Sequence, residues 1–317
     1  MAKLTVSAAD EKRVKALGFL RNKGTDNFSG RIITVNGKIT AAQNQCVAEA
    51  AKLFGNGIVT FTTRLTIEVQ GIPYDKIEDF RTYLAKEGLV TGGTGSKVRP
   101  IVSCKGTTCQ YGLIDTFALS EEIHERFFNG YADVKLPHKF KIGVGGCPNN
   151  CIKPDLNDLG IIGQMIPNYD EDLCSGCKKC FVEESCPIGV AKVVDGMLEI
   201  DKDECNNCGR CVGKYHFDAI EDGKVGYKVY IGGMWGKRVN HGKPLCKVFE
   251  SKEDTLDVVE KVILLYREQG KTGERFAQTI NRLGFENVEA QLLSNELFDR
   301  KQEILDAQLH LEGGATC

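Results

Sequence analysis

The chain has 317 residues, 42% of them hydrophobic and 26% charged, with a formal net charge of -2. That length suits one large or two to three small domains with an ordinary buried core. The near-neutral balance offers no basic field for nucleic acid, and the longest apolar run, VVEKVILLY, is broken by Glu260 and Lys261 and is too short to span a bilayer.

In chain order, MAKLTVSAADEKRVKALGF carries charges where a signal peptide needs an apolar run and has no small-residue cleavage site, so a cytoplasmic protein is expected. Residues 1–28 read as an N-terminal extension. RIITVNG then reads as a strand, AAQNQCVAEAAKLFG as a helix closed by Gly55, IVTFTTRLTIEVQGI as one long alternating β-run, and YDKIEDFRTYLAKEG as an amphipathic helix ended by Gly88. These form a small ferredoxin-like α/β unit over residues 29–96, closed by the flexible joint TGGTGS. A second α/β region, residues 97–168 and 223–317, opens with VRPIVSCKGTTC. It continues through the helical LIDTFALSEEIHERFF, the strand KFKIGVGG, the loop CPNNC and the strand DLGIIGQMI. GYKVYIGG and KPLCKVFE resume its β-pattern, and TLDVVEKVILLYREQG and ERFAQTINRLG are helices with glycine stops. Between its two parts, residues 169–222 turn abruptly dense in Cys, Gly, Asp and Lys, as an inserted module would. The expected class is α+β.

Fourteen cysteines in a chain without an export signal point to metal rather than disulfides. Cys46, Cys246 and Cys317 stand alone and read as buried small hydrophobes or exposed bystanders. CSGCKKCFVEESCP places Cys174, Cys177 and Cys180 two residues apart, ahead of Cys186 and Pro187, and CNNCGRC repeats the triplet at Cys205, Cys208 and Cys211. Such triplets with a trailing Cys-Pro suit iron-sulfur cubanes, in which the Cys-Pro thiolate reaches the opposite cluster. Zinc knuckles pair two-cysteine hooks instead. Cys186 therefore completes the set Cys205, Cys208 and Cys211 for a [4Fe-4S] cluster. Where the second triplet should bring a fourth cysteine, the chain supplies Tyr215, so Cys174, Cys177 and Cys180 form an incomplete set. Three outcomes stay open for it: a three-iron cluster, a [4Fe-4S] cluster with a substitute ligand from His216, Asp218 or Cys246, or no cluster.

Four more cysteines, Cys104 and Cys109 in CKGTTC and Cys147 and Cys151 in GCPNNC, can hold another [4Fe-4S] cluster, and Gly145 and Gly146 leave room for a large group to approach the backbone. A cysteine pair followed at a distance by Gly-Cys-Pro-Asn-x-Cys resembles the sirohaem sulfite and nitrite reductases, most closely the C subunits of anaerobic sulfite reductases and small dissimilatory-type relatives. The likeness extends from about residue 30. It departs in the Cys-x4-Cys spacing, where the larger assimilatory enzymes have five intervening residues, and in the missing fourth ferredoxin cysteine.

The resemblance implies a sirohaem whose iron is bridged through Cys151, with Gly145, Gly146, Asn149, Gly232 and Gly233 lining the cofactor. It puts substrate-binding cations at Arg64 in TFTTRLTIEVQGI, Arg99 in VRPIVSC, and Lys139 and Lys141 in LPHKFKIGV. It implies six-electron reduction of sulfite to sulfide, or alternatively of nitrite, by a catalytic subunit; a non-catalytic electron-transfer subunit is the reading from another class. GGTGSKVRP lacks the strand-loop-helix order of a dinucleotide site, so the donor is expected to be a separate flavoprotein or iron-sulfur subunit. The larger enzymes carry this unit twice. One copy here implies a homodimer with shared active sites.

Overall fold

The computed structural model describes residues 6–214 and 219–309. Two compact units emerge: Met1–Ser103 with Ser120–Ile142 and Glu260–Cys317, and Cys104–Leu119 with Gly143–Val259.

The first unit opens with helix α1 (Ala8–Ala16), capped by Ser7, whose hydroxyl accepts the Asp10 N–H at 3.1 Å. Strands β1 (Phe19–Arg21) and β2 (Asn27–Ile32), helix α2 (Ala41–Phe54), strands β3 (Val59–Phe61) and β4 (Ile67–Pro73) and helix α3 (Ile77–Ala85) follow. The strands form an antiparallel sheet in the order β1-β2-β4-β3, so the sheet already begins at Phe19, within the segment expected to precede it. Helix α2 starts at a capping box between Thr40 and Gln43 and turns Cys46, Val47, Ala50 and Ala51 onto a core shared with Phe19, Phe28, Ile72 and Phe80. The lone Cys46 is thus a small hydrophobe.

The long β-run expected over residues 58–72 is a hairpin instead. It reverses between Phe61 and Ile67 because Leu65 adopts φ +58° and the Thr62 hydroxyl accepts the N–H groups of Arg64 (3.2 Å) and Thr66 (3.3 Å). Thr-Thr-Arg-Leu-Thr contains none of the Gly, Pro or Asn residues that announce a turn. Later in this unit come the two-residue strand β5 (Val102–Ser103) and helix α4 (Thr116–Ile123), which begins in the second unit and runs on into a π-helical stretch at His124–Asn129. Phe140, fully buried, packs at a tilt against Tyr266 at 5.7 Å and edge-on against Phe276 at 5.6 Å.

The strands of the second unit are β6 (Ile142–Gly145), β7 (Leu159–Pro167), the short β8 (Ala191–Val194) and β9 (Met197–Ile200), β10 (Gly223–Ile231) and β11 (Lys243–Phe249). The larger sheet runs β11-β10-β7-β6, and β10 pairs antiparallel with β7 from Gly223↔Pro167 to Ile231↔Leu159. Residues 168–222 therefore leave at the end of one strand of a hairpin and return at the start of the other. They carry a small core of their own, formed by Val182, Ala191, Leu198, Ile220 and Cys180, with helix α5 (Phe181–Ser185) and the β8–β9 hairpin around it. That hairpin turns on Asp195 and Gly196 at φ +50° and +86°, the two positive values a type I′ turn requires. Among the described residues, no helix is long and apolar enough to cross a membrane.

Candidate functional site

The first unit gathers four cations whose sequence separation exceeds seventy residues. Val98 bridges Phe140 in parallel, with the Arg99 N–H donating to the Phe140 carbonyl at 2.8 Å and the Phe140 N–H to the Lys97 carbonyl at 3.0 Å. Val98 and Phe140 are buried, so the alternation of extended chain turns Arg99, Lys139 and Lys141 to the opposite side. The tip of the β3–β4 hairpin adds Arg64, whose guanidinium donates to the carbonyls of Pro100 (2.6 Å) and Ile142 (3.1 Å). An open cavity of about 200 Å³ results, lined by Arg64, Arg99, Lys139 and Lys141 together with Arg31 and Thr62. Its field is visible in a neighbour: burial, with Lys139, Arg275 and Arg99 adding to it, pushes the His138 imidazole down to about 4, so this ring is neutral at physiological pH. Arg31 was not foreseen. It sits opposite Glu68 in the β2–β4 register, pairs with that carboxylate at 2.7 Å, and looks in sequence like any strand residue.

In the second unit Cys104, Cys109, Cys147 and Cys151 come together. Burial pushes the Cys147 thiol up, an N–H from Asn149 opposes this, and Cys104, Cys151 and Cys109 are close enough to raise it further. The Gly146 N–H donates to Cys104 Sγ at 3.2 Å, while Cys151 is exposed at the far end of the loop. Gly145 and Gly146 also pack closely against the protein itself. A Cβ on Gly145 would lie 3.0 Å from Pro154, and one on Gly146 2.9 Å from the Gly106 backbone, so both make room for the protein itself. Gly233 likewise packs against the backbone, where a Cβ would meet the Asp155 and Asn157 carbonyls at 2.2 Å, and Gly232 takes φ +84° beside it. The loop is braced by a connection the sequence does not announce. Asn150 donates to Asp155 at 3.0 Å, and the other Asp155 oxygen pairs with His241 Nδ1 at 2.7 Å. Burial would raise the Asp155 carboxyl, yet the bonds from His241 and Asn150 hold it below its usual range.

Cys186, Cys205, Cys208 and Cys211 line one narrow cavity in the excursion between β7 and β10. Burial pushes Cys211 up to about 11, with Cys205, Cys208 and Cys186 contributing. Cys186 goes the other way: burial would raise it, but the N–H groups of Ala191, Ile188, Val190 and Gly189 outweigh that and favour its thiolate. The loop 205–211 is fastened to β7, since the Met165 N–H donates to the Asn207 carbonyl at 2.8 Å and Cys208 bridges Met165. A second cavity is walled by Cys147, Pro148 and Asn149 on one side and Cys208, Gly209 and Arg210 on another, with the Arg210 guanidinium 4.8 Å above the Tyr111 ring. Cys174, Cys177 and Cys180 lie at the other end of the excursion. Cys180 is in its core, and Cys174 Sγ accepts the Leu198 N–H at 3.4 Å. Tyr215, His216 and Asp218 fall outside the described residues, as does Cys317. Cys246 sits exposed on the edge strand β11.

This donor chemistry suits clusters better than single ions. Among the described residues no three Cys, His, Asp or Glu side chains converge as they would around one metal ion, whereas a cubane takes each thiolate on a different iron and spreads its ligands wider. Backbone N–H groups aimed at sulfur, as at Cys104 and Cys174, are a known lever on cluster potential. For a sirohaem, the fitting feature is the exposed Cys151 beside the half-buried Cys147.

Residues 94–300 match the family described as nitrite and sulphite reductase 4Fe-4S domain, and residues 21–87 match the nitrite/sulfite reductase ferredoxin-like half domain. The chain is 32% identical over 236 residues to the coenzyme F420-dependent sulfite reductase of Methanocaldococcus jannaschii, covering 73% of this chain and 36% of that protein. It is 30% identical over 164 residues to the C subunit of the anaerobic sulfite reductase of Salmonella typhimurium, covering 47% of each. It thus spans about a third to a half of the length of these two relatives. The crystal structure of dissimilatory sulfite reductase I superposes with a TM-score of 0.67 at 20% identity, over 91% of this chain and 73% of that one, which establishes a shared fold. The chain belongs to the nitrite and sulphite reductase family.

Proposed function

We propose that this protein is the catalytic subunit of a sirohaem-dependent sulfite reductase, taking sulfite to sulfide in six electrons. The observation that carries this reading is the gathering of Arg64, Arg99, Lys139 and Lys141 around one cavity in a chain of this family. Sulfite is a small dianion, and removing its water is costly unless fixed cations replace the shell. Two arginines supply planar, charge-assisted donors, and two lysines supply point charges whose Nζ protons can pass to oxygen as S–O bonds break. The neutral His138 leaves the positive charge of the cavity to these side chains. Cys104, Cys109, Cys147 and Cys151 would hold a [4Fe-4S] cluster joined through Cys151 to the sirohaem, and this pair supplies electrons in quick succession when bound. Cys186, Cys205, Cys208 and Cys211 would hold a second cluster.

Electrons would come from a separate flavoprotein or iron-sulfur protein, in the cytoplasm. The single copy of the unit favours a homodimer that combines the cysteine set of one protomer with the cations of its partner. Mixing an Arg64→Ala subunit with a Cys151→Ala subunit should then restore part of the activity that each lacks alone, and no recovery would argue against sharing. The test of the function itself is one anaerobic preparation: a chlorin-type absorption band together with sulfide formed from sulfite. Ammonia from nitrite at a much higher rate would make it a nitrite reductase, and iron-sulfur absorption without the chlorin band would make it an electron carrier only.

A further inference from the structure

The excursion between β7 and β10 has two ends of opposite character, both within the second unit. One end, the loop of Cys205 to Cys211, is fastened to β7 and shares a cavity wall with Cys147. The other end, around Cys174 and Cys177, presents Leu173, Val194 and Met197 at 47%, 41% and 42% exposure. Val194 and Met197 face each other across the β8–β9 turn, on the side away from Leu198, which is buried in the local core. The loop 174–177 abuts that turn: a Cβ on Gly176 would lie 2.9 Å from the Gly196 carbonyl, and Leu198 donates to Cys174 Sγ at 3.4 Å. Three exposed apolar side chains therefore sit on the segments that adjoin Cys174 and Cys177. The excursion as a whole is acidic. Residues 169–222 contain thirteen Asp and Glu against six Lys and Arg, a net of -7 in a chain whose total is -2. Asp170, Glu171 and Asp172 stand directly before Leu173, and Asp195 stands between Val194 and Met197.

We infer that this end is the docking surface for the electron-donor protein, and that the donor's contact face is basic with an apolar centre. The inference rests on the proposed function for there being a donor at all. Lys178 and Lys179 follow Cys177 directly, so the rim is mixed in sign but acidic in balance. An apolar centre within a rim biased to one charge sign is the arrangement by which transient partners are steered and then held over a small contact. A second copy of this chain would bring like charge against like charge here, which disfavours self-association through the same face.

The test uses the anaerobically reconstituted protein and a cationic redox protein, mitochondrial cytochrome c, as the probe, with binding measured by calorimetry at several salt concentrations. Asp170→Asn with Glu171→Gln and Asp172→Asn should weaken binding about tenfold at low salt and flatten the salt dependence. Leu173→Ser with Met197→Ser should weaken it several-fold with the salt slope kept. Glu296→Gln with Asp299→Asn, in the helix Glu296–Asp299 of the first unit, should change neither. Equal losses in all three variants would overturn the proposal in favour of unspecific charge attraction. A wild-type dimer that dissociates in the Leu173 and Met197 variant would overturn it in favour of a second copy. Sulfide formation with reduced methyl viologen should be unchanged in the surface variants. Its absence in the wild-type protein would overturn the proposed function while leaving the binding result readable.

Discussion

The cation cavity and the cysteine cavities are built on opposite plans. Arg64, Arg99, Lys139 and Lys141 reach one place from a hairpin tip and two paired extended segments, held by carbonyls and by a buried aromatic cluster beneath. Cys205, Cys208 and Cys211 come from seven consecutive residues that curl around their own cavity. The difference teaches where each is vulnerable. A loop-built site fails when a ligand is removed, while a scaffold-built site can be lost by a change that touches none of its functional groups.

The largest expected effect is on the loop-built side. Cys208→Ala removes one of four thiolates, and iron and sulfide analysis should show a whole cluster missing, with far-UV circular dichroism of the parent sheet retained. Next, Phe140→Ala takes a fully buried ring from beneath Lys139 and Lys141, at a cost of about 3 to 5 kcal/mol. Denaturant unfolding should show the first unit weakened, and sulfite turnover should fall even though all four cations remain. If turnover survives at full rate, the contrast between the two plans is wrong.

A smaller effect sharpens the comparison from within the loop. Gly209 adopts φ +69°, and a Cβ there would lie 2.6 Å from the Met165 side chain. Gly209→Ala should therefore cost about 1 to 3 kcal/mol of local strain and loosen the loop from β7. Faster hydrogen exchange at Met165 would report it, with the cluster still bound. The smallest effect at working pH concerns Glu274 in the first unit. Burial would raise its carboxyl, but Arg282, the Lys271 N–H and Thr279 together bring it from 4.5 down to about 2. A carboxylate depressed on folding contributes stability that is full above its unfolded value and lost as pH falls toward the folded one. Wild-type stability should therefore drop between about pH 4.5 and pH 2 more than that of Glu274→Gln.

The spacing of Cys174 to Cys211, the Cys-Pro at 186 and the Gly-Cys-Pro-Asn-x-Cys loop were legible because an iron-sulfur ligand set is a local pattern, and the wrapping loop is short. The ferredoxin-like unit was legible from periodicity, although its long β-run concealed a hairpin whose turn is made by threonine hydroxyls and one left-handed leucine. Residue identity could not show that Gly146 and Gly233 pack against the protein's own backbone and Gly145 against the Pro154 ring, since the neighbours concerned are brought in by the fold. Nor could it find Arg31 in the cation cavity, or the link from Asn150 through Asp155 to His241, whose last two members stand 86 positions apart. The sequence by itself determined where the thiols cluster and which segments alternate, because both are written in spacing along the chain. Only the tertiary structure decided which cations face one cavity and which end of the cysteine-rich excursion faces outward, because those depend on strand register and on where buried side chains lock the chain.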